Sequence, residues 1–325
     1  MLFNIANVAA RLNKELSAYE FGSHPAELYD PVYYILSLGG KRLRPMLTVL
    51  GAAMFTDELE PVFKPALAVE VFHNFTLLHD DIMDKAALRR GQPTVHEKWN
   101  ANIAILSGDV MFVKSYELLS ATDSKLLPEA LQKFNECAAK VCEGQQLDMN
   151  YEQADAIDEK QYLQMIEKKT AALLGFSLEL GGLLGGATGK DLEQLNQLGI
   201  NLGMAFQLKD DLLDVYGDPE KFGKQVGGDI TANKKTFLLV KALELAKGED
   251  KKKLAALLAD TTSKPEKKVK DVCALYDKLH IQKLAEEKIE SYFAKADKCL
   301  IAIRGSLYRK TYLKQFIAKL KERES

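Results

Sequence analysis

The chain has 325 residues, 47% of them apolar, and a formal net charge of −2. That length and apolar content permit one large domain or two ordinary ones with a sizeable core, and the near-neutral balance argues against a nucleic-acid binder. The four cysteines, Cys137, Cys142, Cys273 and Cys299, show no CxxC spacing, so neither a zinc site nor a disulfide framework is indicated, and they read as reduced core thiols of a cytoplasmic protein.

Helical periodicity dominates, and runs of alternating β-branched residues are nearly absent. Among nine prolines, Pro31, Pro61, Pro93, Pro128 and Pro219 mark boundaries, where helix ends are expected. An all-α bundle follows. With no low-complexity linker or tandem repeat, one domain over residues 1–325 is the simplest division. The opening stretch MLFNIANVAARLNKELSAYE, interrupted by Arg11 and Lys14, reads as an amphipathic helix and not a signal peptide. No apolar run approaches the length of a membrane span. The loop GGKRLRP then brings together Gly39, Gly40, Lys41, Arg42, Arg44 and Pro45. Glycines let a backbone approach an anion, Lys and Arg supply charge, and Pro45 can open the helix that continues to Met54.

A helix is expected from about Glu60 to Asp84. Within VEVFHNFTLLHDDIMD, the residues Val69, Phe72, Leu77 and Leu78 keep one face apolar, and Asp80, Asp81 and Asp84 are set into that run. Residues four apart share a helix face, so Asp80 and Asp84 point at one volume. Burying ionised carboxylates is costly unless cations accompany them, and magnesium accepts carboxylate oxygens while keeping waters and, commonly, a substrate phosphate. Arg89 and Arg90 follow, with guanidinium forks that suit phosphate oxygens. Glu70 and His73 form an ExxH pair of the kind found in di-iron carboxylate bundles. That fold needs a second ExxH, and only DxxH at Asp277 and His280 is present.

The stretch Gly91 to Thr94 breaks the chain before helices expected at about Ala101 to Ser120, Pro128 to Met149 and Glu159 to Leu180, the last carrying Lys168, Lys169 and Thr170. The glycine group Gly181 to Gly189 is expected to end that helix and let the next one pack closely, with Asp191 as its N-cap. A second acidic cluster, FQLKDDLLDVYGD, places Asp210, Asp211 and Asp214 at the same spacing, behind Leu198, Leu202, Ala205 and Phe206. If Asp is roughly 6% of an ordinary chain, about 0.07 chance DDxxD matches are expected here. Two copies, both in apolar contexts beside basic residues, argue for shared metal binding over two solvated faces. The next loop sets Gly217, Gly223, Gly227 and Gly228 among Lys221, Lys224, Lys234 and Lys235, like a lid that closes over a metal-bound phosphate. From Lys247 onward come lysine-rich amphipathic helices, at about Lys251 to Leu258, Lys264 to Tyr276 and Ile281 to Leu300, without a chemistry-bearing pattern.

With GGKRLRP, LLHDDIMDKAALRRGQPTVH, FQLKDDLLDVYGD and GKQVGGDITANKKT in one order, the chain resembles a trans-isoprenyl diphosphate synthase of the polyprenyl synthetase family over about residues 30 to 240. The resemblance implies an all-α bundle around a deep central cavity, usually as a homodimer. It implies that Asp80, Asp81 and Asp84, with Asp210, Asp211 and Asp214, hold three magnesium ions on an allylic diphosphate. Arg89, Lys169, Lys224 and Lys234 match residues that grip that diphosphate. Lys41, Arg44, His73 and Arg90 match the isopentenyl diphosphate pocket, and Thr170 and Gln207 match polar groups beside the reacting carbons. The ending KERES departs from the basic C-terminal tail of some members.

The chemistry of the residues agrees. Breaking an allylic carbon–oxygen bond leaves a delocalised cation and a pyrophosphate whose charge metals and basic side chains can spread. The double bond of isopentenyl diphosphate then attacks, and the resemblance implies that the departing pyrophosphate takes the final proton. A class I terpene cyclase shares the fold, but usually carries an Asn/Ser/Glu-type second motif and needs no GGKRLRP cations. A non-catalytic partner subunit would be expected to lose acidic ligands, and all six are present. For product length, Phe75 and Thr76 stand five and four residues before Asp80, and family members with one aromatic at the fifth position tend toward the longer of two products. Geranylgeranyl diphosphate is the expected main product and farnesyl diphosphate the close alternative. Phe75 is the expected tunnel floor, with Met111 or Phe112 as the other candidates.

Overall fold

The computed structural model describes residues 4–217, 227–260, 262–304 and 307–321. In chain order the helices are α1 (Ile5–Ala18), α2 (Ala26–Ser37), α3 (Leu43–Ala53), α4 (Phe63–Met83), α5 (Val95–Lys98), α6 (Ala101–Leu119), α7 (Leu127–Gln153) and α8 (Glu159–Ile166). After a π turn at Glu167–Ala171 come α9 (Ala172–Leu184), α10 (Lys190–Tyr216), α11 (Gly228–Thr231) and α12 (Phe237–Leu245). The last four are α13 (Gly248–Ala259), α14 (Pro265–Lys278), α15 (Ile281–Ala302) and α16 (Leu307–Lys321). Strand among the described residues is confined to the antiparallel pair β1 (Leu88–Arg89) and β2 (Gln92–Pro93). The expected all-α class is therefore present. None of the described helices is long and apolar enough to cross a membrane.

The contacts divide the chain into two compact units. The first comprises Met1–Cys137, Phe176–Asn196 and Ala302–Lys314. In α1 the Asn4 side chain accepts from the backbone N–H groups of Ala6 and Asn7, satisfying donors that a first helical turn leaves unbonded. Val8, Leu12 and Leu16 are buried one per turn, as the amphipathic reading of this stretch expects. Pro31 is a correction: it lies buried inside α2, and the boundary proline is Pro25. The ring removes one backbone hydrogen bond, which its burial beside Val32 and Ile35 partly offsets. α3 is buried at every residue except Arg44, so it is a core helix and not a surface one. It opens at Leu43, which puts Pro45 in the first turn, where a missing N–H costs little.

α4 packs along α3 and α6. Its Phe72 is fully buried and meets Phe134 edge to face at 5.1 Å, and Phe134 in turn lies 5.6 Å from Phe176. α9 does not stop at the first glycines, as expected, but runs to Leu184. Packing explains this. A Cβ on Gly181 would lie 2.0 Å from the Thr48 carbonyl oxygen, so that glycine serves a close crossing with α3, while the turn falls to Gly186 at φ 91°. Asp191 is a second correction. α10 begins one residue before it, and its carboxylate accepts instead from Arg304, at 2.8 Å from the backbone N and 3.0 Å from Nε.

The second unit comprises Ala138–Gly175, Gln197–Ile301 and Gln315–Ser325. Asp158 opens α8 with a reciprocal capping box, its side chain bonded to the Gln161 N–H and the Gln161 side chain to its own. The single helix expected from Glu159 to Leu180 is interrupted by the π turn at Glu167–Ala171. α14 packs on α11, α12 and α13 and buries Val272, Leu275 and Tyr276. α15 buries Ile281, Ala285, Ile289, Phe293, Ala296 and Leu300, a stripe at helical spacing. The C-terminal helices therefore serve as packing elements. Of the expected lysine loop, Gly217, Gly227, Gly228, Lys234 and Lys235 are described, whereas Lys221, Gly223 and Lys224 lie outside the described residues.

Candidate active site

The first acidic cluster closes α4. Asp84 is the C-cap, Lys85 follows in the left-handed region at φ 51°, and the N–H groups of Lys85 and Ala86 return to the carbonyls of Ile82 and Asp81 at 3.3 and 2.9 Å. This is the two-bond closure usually made with glycine. It places all three aspartates in the last helical turn, where the helix dipole disfavours negative charge and favours cations. Asp81, 2% exposed, receives one: Arg89 donates to both carboxylate oxygens at 2.7 Å. Arg89 reaches back because β1 and β2 form a hairpin with Arg90 and Gly91 as its two turn residues, both at positive φ (53° and 75°), as the commonest two-residue hairpin turn requires. Arg90 then donates from Nη1 to the Gly39 carbonyl.

Thus Arg90 meets the GGKRLRP loop. In that loop Arg44 Nη1 lies 3.0 Å from His73 Nε2. Arginine can only donate, so Nε2 must accept, and the imidazole proton sits on Nδ1. Desolvation holds the His73 pKa well below its ordinary value, and the charges of Arg44, Arg89, Arg90 and Arg42 push the same way. His73 is therefore a neutral member of a strongly cationic cluster. Lys41 lies exposed on the loop. Arg42, the loop's other basic residue, is 7% exposed and pairs with Glu70 at 2.6 Å.

In the second unit, Asp211 is 4% exposed and accepts from the Tyr162 hydroxyl, from Gln207 Nε2 at 3.0 Å and from the Phe237 N–H at 3.3 Å. Burial, and then the charge of Asp229, push its pKa up to about 7 against the opposing hydrogen bonds and Lys234. Thr170 Oγ1 donates to Gln207 Oε1 at 3.1 Å, so Thr170, Gln207 and Asp211 form one hydrogen-bonded chain. Asp214 accepts from the Asp229 N–H at 2.9 Å, which ties the acidic helix to the start of α11. The π turn presents Lys169, whose Nζ donates to Asp148 at 2.6 Å. α7 can pass this close because residue 144 is glycine: a Cβ there would lie 2.2 Å from the Lys169 nitrogen. π turns recur at functional sites.

Among the described residues no three His, Cys, Asp or Glu side chains form a metal site by themselves. The donor chemistry nevertheless fits magnesium. Asp80 with Asp84, and Asp210 with Asp214, are carboxylate pairs one helical turn apart, and magnesium characteristically takes one or two carboxylates and completes its shell with water and substrate phosphate. Of the product-length positions, Phe75 stacks on Phe112 with ring centroids 5.1 Å apart and planes inclined by 19°. The Thr76 hydroxyl turns back to the His73 carbonyl at 2.8 Å. Met111 is fully buried. Residues that sequence reasoning passed over are Asp148 and Tyr162, partners of Lys169 and Asp211, and Glu70 in its role toward Arg42.

Residues 25–276 match the polyprenyl synthetase family. A geranylgeranyl diphosphate synthase of Sulfolobus acidocaldarius is 37% identical over 282 residues, 85% of each chain. A short chain isoprenyl diphosphate synthase of Methanocaldococcus jannaschii is 39% identical over 267 residues, 82% of this chain and 80% of its own. A crystal structure of a geranylgeranyl pyrophosphate synthase superposes with a TM-score of 0.94 at 41% identity, covering all of both chains. With the all-α isoprenoid synthase fold and these relatives, the chain belongs to the polyprenyl synthetase family and is a prenyltransferase of the trans-isoprenyl diphosphate synthase type.

Proposed function

We propose that this enzyme condenses isopentenyl diphosphate with allylic diphosphates, with geranylgeranyl diphosphate as the main product, as a magnesium-dependent cytoplasmic homodimer in which the whole chain acts as one catalytic domain. The observation that carries the reading is the doubled acidic motif on α4 and α10, each accompanied by basic side chains: Arg89 on Asp81, and Lys234 near enough to Asp211 to act on its charge. These carboxylates would hold magnesium, which would supply charge neutralisation for the leaving diphosphate. Asp80, Asp81, Asp84, Asp210, Asp211 and Asp214 are its proposed ligands for three ions.

The remaining steps fall to the chain's own residues. Arg89, Lys169, Lys224 and Lys234 bind the allylic diphosphate, and Lys41, Arg44, His73 and Arg90 bind isopentenyl diphosphate. A neutral His73 keeps its ring oriented by Arg44 and adds no further charge that would have to be desolvated. Thr170 and Gln207, already bonded to each other, present oxygen dipoles beside a developing carbocation, which favours its formation electrostatically. Leu106 and Val113, 59% and 62% exposed and two turns apart on α6, support a homodimer, since a second copy would cover them. A product assay tests the reading: purified protein, magnesium, isopentenyl diphosphate and each allylic diphosphate in turn, with products resolved by length. Geranylgeranyl diphosphate as the dominant product is the expected result. A cyclic hydrocarbon without chain extension, or no turnover, would contradict it.

A further inference from the structure

Glu70 and His73 lie one turn apart on α4, and each holds an arginine of the loop that opens α3. Glu70 Oε1 accepts from Arg42 Nη1 at 2.6 Å, and His73 Nε2 from Arg44 Nη1 at 3.0 Å. Arg42 spreads its other donors over two further elements, Nη2 to the Leu36 carbonyl at 2.9 Å just before the end of α2 and Nε to Asn13 Oδ1 at 3.1 Å on α1. Glu70 itself is braced by Asn74 Nδ2 at 3.2 Å. Both partners are almost fully buried, Glu70 at 3% and Arg42 at 7% exposure.

Such an arrangement is costly. A buried ion pair loses hydration that apolar side chains of the same volume would not have had, so stability alone does not explain it. Arg42 also adopts the left-handed backbone region, φ 46° and ψ 38°, which disfavours any residue with a Cβ. Gly39 and Gly40 precede it at φ 82° and 141°, conformations that leave the loop loose unless something pins it. The guanidinium pins it to three helices at once. Lys41 precedes Arg42 directly and Arg44 follows two residues later, so the anchor sets the positions of both cations.

We infer that Glu70 and Arg42 are positioning residues for the isopentenyl diphosphate pocket: their buried pair sets the loop geometry through which Lys41 and Arg44 reach the diphosphate. The inference rests on the pocket assignment made above, and the experiment separates the two. The apparent Michaelis constants for isopentenyl diphosphate and for farnesyl diphosphate are measured, with Tm, for Lys41→Ala, Glu70→Gln, Asn13→Ala and the double variant Arg42→Met/Glu70→Met. Glu70→Gln should raise the isopentenyl constant about tenfold, like Lys41→Ala, with the farnesyl constant within about twofold of wild type. In the double variant an apolar pair replaces the ions, so Tm should return toward wild type while the isopentenyl constant stays raised. Asn13→Ala removes a single part-buried contact and should raise the same constant less, at near wild-type Tm, which keeps the test open if Glu70→Gln fails to fold. A folded double variant with a wild-type isopentenyl constant, while Lys41→Ala raises it, overturns the inference. If Lys41→Ala raises the farnesyl constant instead, the pocket assignment falls. Glu70→Gln following Lys41→Ala onto that substrate would still uphold the positioning role.

Discussion

Arg89 grips Asp81 with two hydrogen bonds of 2.7 Å, one to each carboxylate oxygen. The middle aspartate of the first motif is therefore neutralised by the protein itself, in a turn where the helix dipole opposes negative charge. Arg89→Ala strands a buried carboxylate. Because Arg89 is partly exposed, the cost should be about 2 kcal/mol, below that of breaking a fully buried pair, and it is read as a lowered Tm in metal-free buffer. The Michaelis constant for the allylic substrate should rise in parallel. An unchanged Tm would show that another cation takes over at Asp81.

The depressed pKa of His73 gives a stability effect with a definite sign. The unfolded imidazole takes up a proton near 6.5, while the folded one does so only well below that value. Between those limits the unfolded state binds more protons, so the contribution is fully present above about 6.5 and is lost as pH falls. His73→Gln keeps an acceptor for Arg44 but cannot titrate. Its Tm relative to wild type should therefore rise as pH is lowered from about 7.5 to 5. A difference that stays flat over that range would mean that His73 titrates alike in the folded and unfolded chain.

Phe75 stacks on Phe112, so if Phe75 forms the floor proposed for the product chain, the two rings act together. Phe75→Ala should lengthen the products, and Phe112→Ala should do the same, because removing either ring leaves the other without its support. Both rings are half-buried, so each truncation should cost less than about 3 kcal/mol of stability, the low end for an aromatic ring lost from a core. Product distributions by chromatography decide. If only Phe75→Ala lengthens the chain, Phe112 is packing alone.

Asp80→Ala and Asp210→Ala should each reduce condensation by at least about 100-fold through loss of a metal ligand. Neither should lower Tm in metal-free buffer, since each removes one of several adjacent like charges. Near-normal turnover in either variant would sink the metal assignment.

Much of this was legible in local sequence. α1 announces itself by apolar residues one per turn, and the two acidic motifs by spacing alone, because helical geometry ties four-residue separations to one face. The partners of the site residues were not legible. Asp148 holds Lys169 from 21 residues away and Tyr162 holds Asp211 from 49, distances over which no local pattern encodes contact. Arg42 and Arg44 look alike in GGKRLRP, yet a left-handed residue before α3 sends Arg42 to Glu70 and leaves Arg44 to His73. Pro31 misled because burial can outweigh a lost backbone bond. The π turn has no periodic signature short enough to see.

The helix α4 carries Glu70 and His73 toward its middle and Asp80, Asp81 and Asp84 at its end. An α-helix advances about 100° per residue, so the bearing of the acidic cluster relative to the loop grip depends on the residue count between them. A single insertion or deletion between His73 and Asp80 would swing the carboxylates about a quarter turn away while leaving the helix, its packing class and both motifs intact. Natural length variation should therefore be tolerated in the surface connections of this protein and forbidden across the six residues between His73 and Asp80, a ruler between the two diphosphate sites proposed for the ends of that stretch.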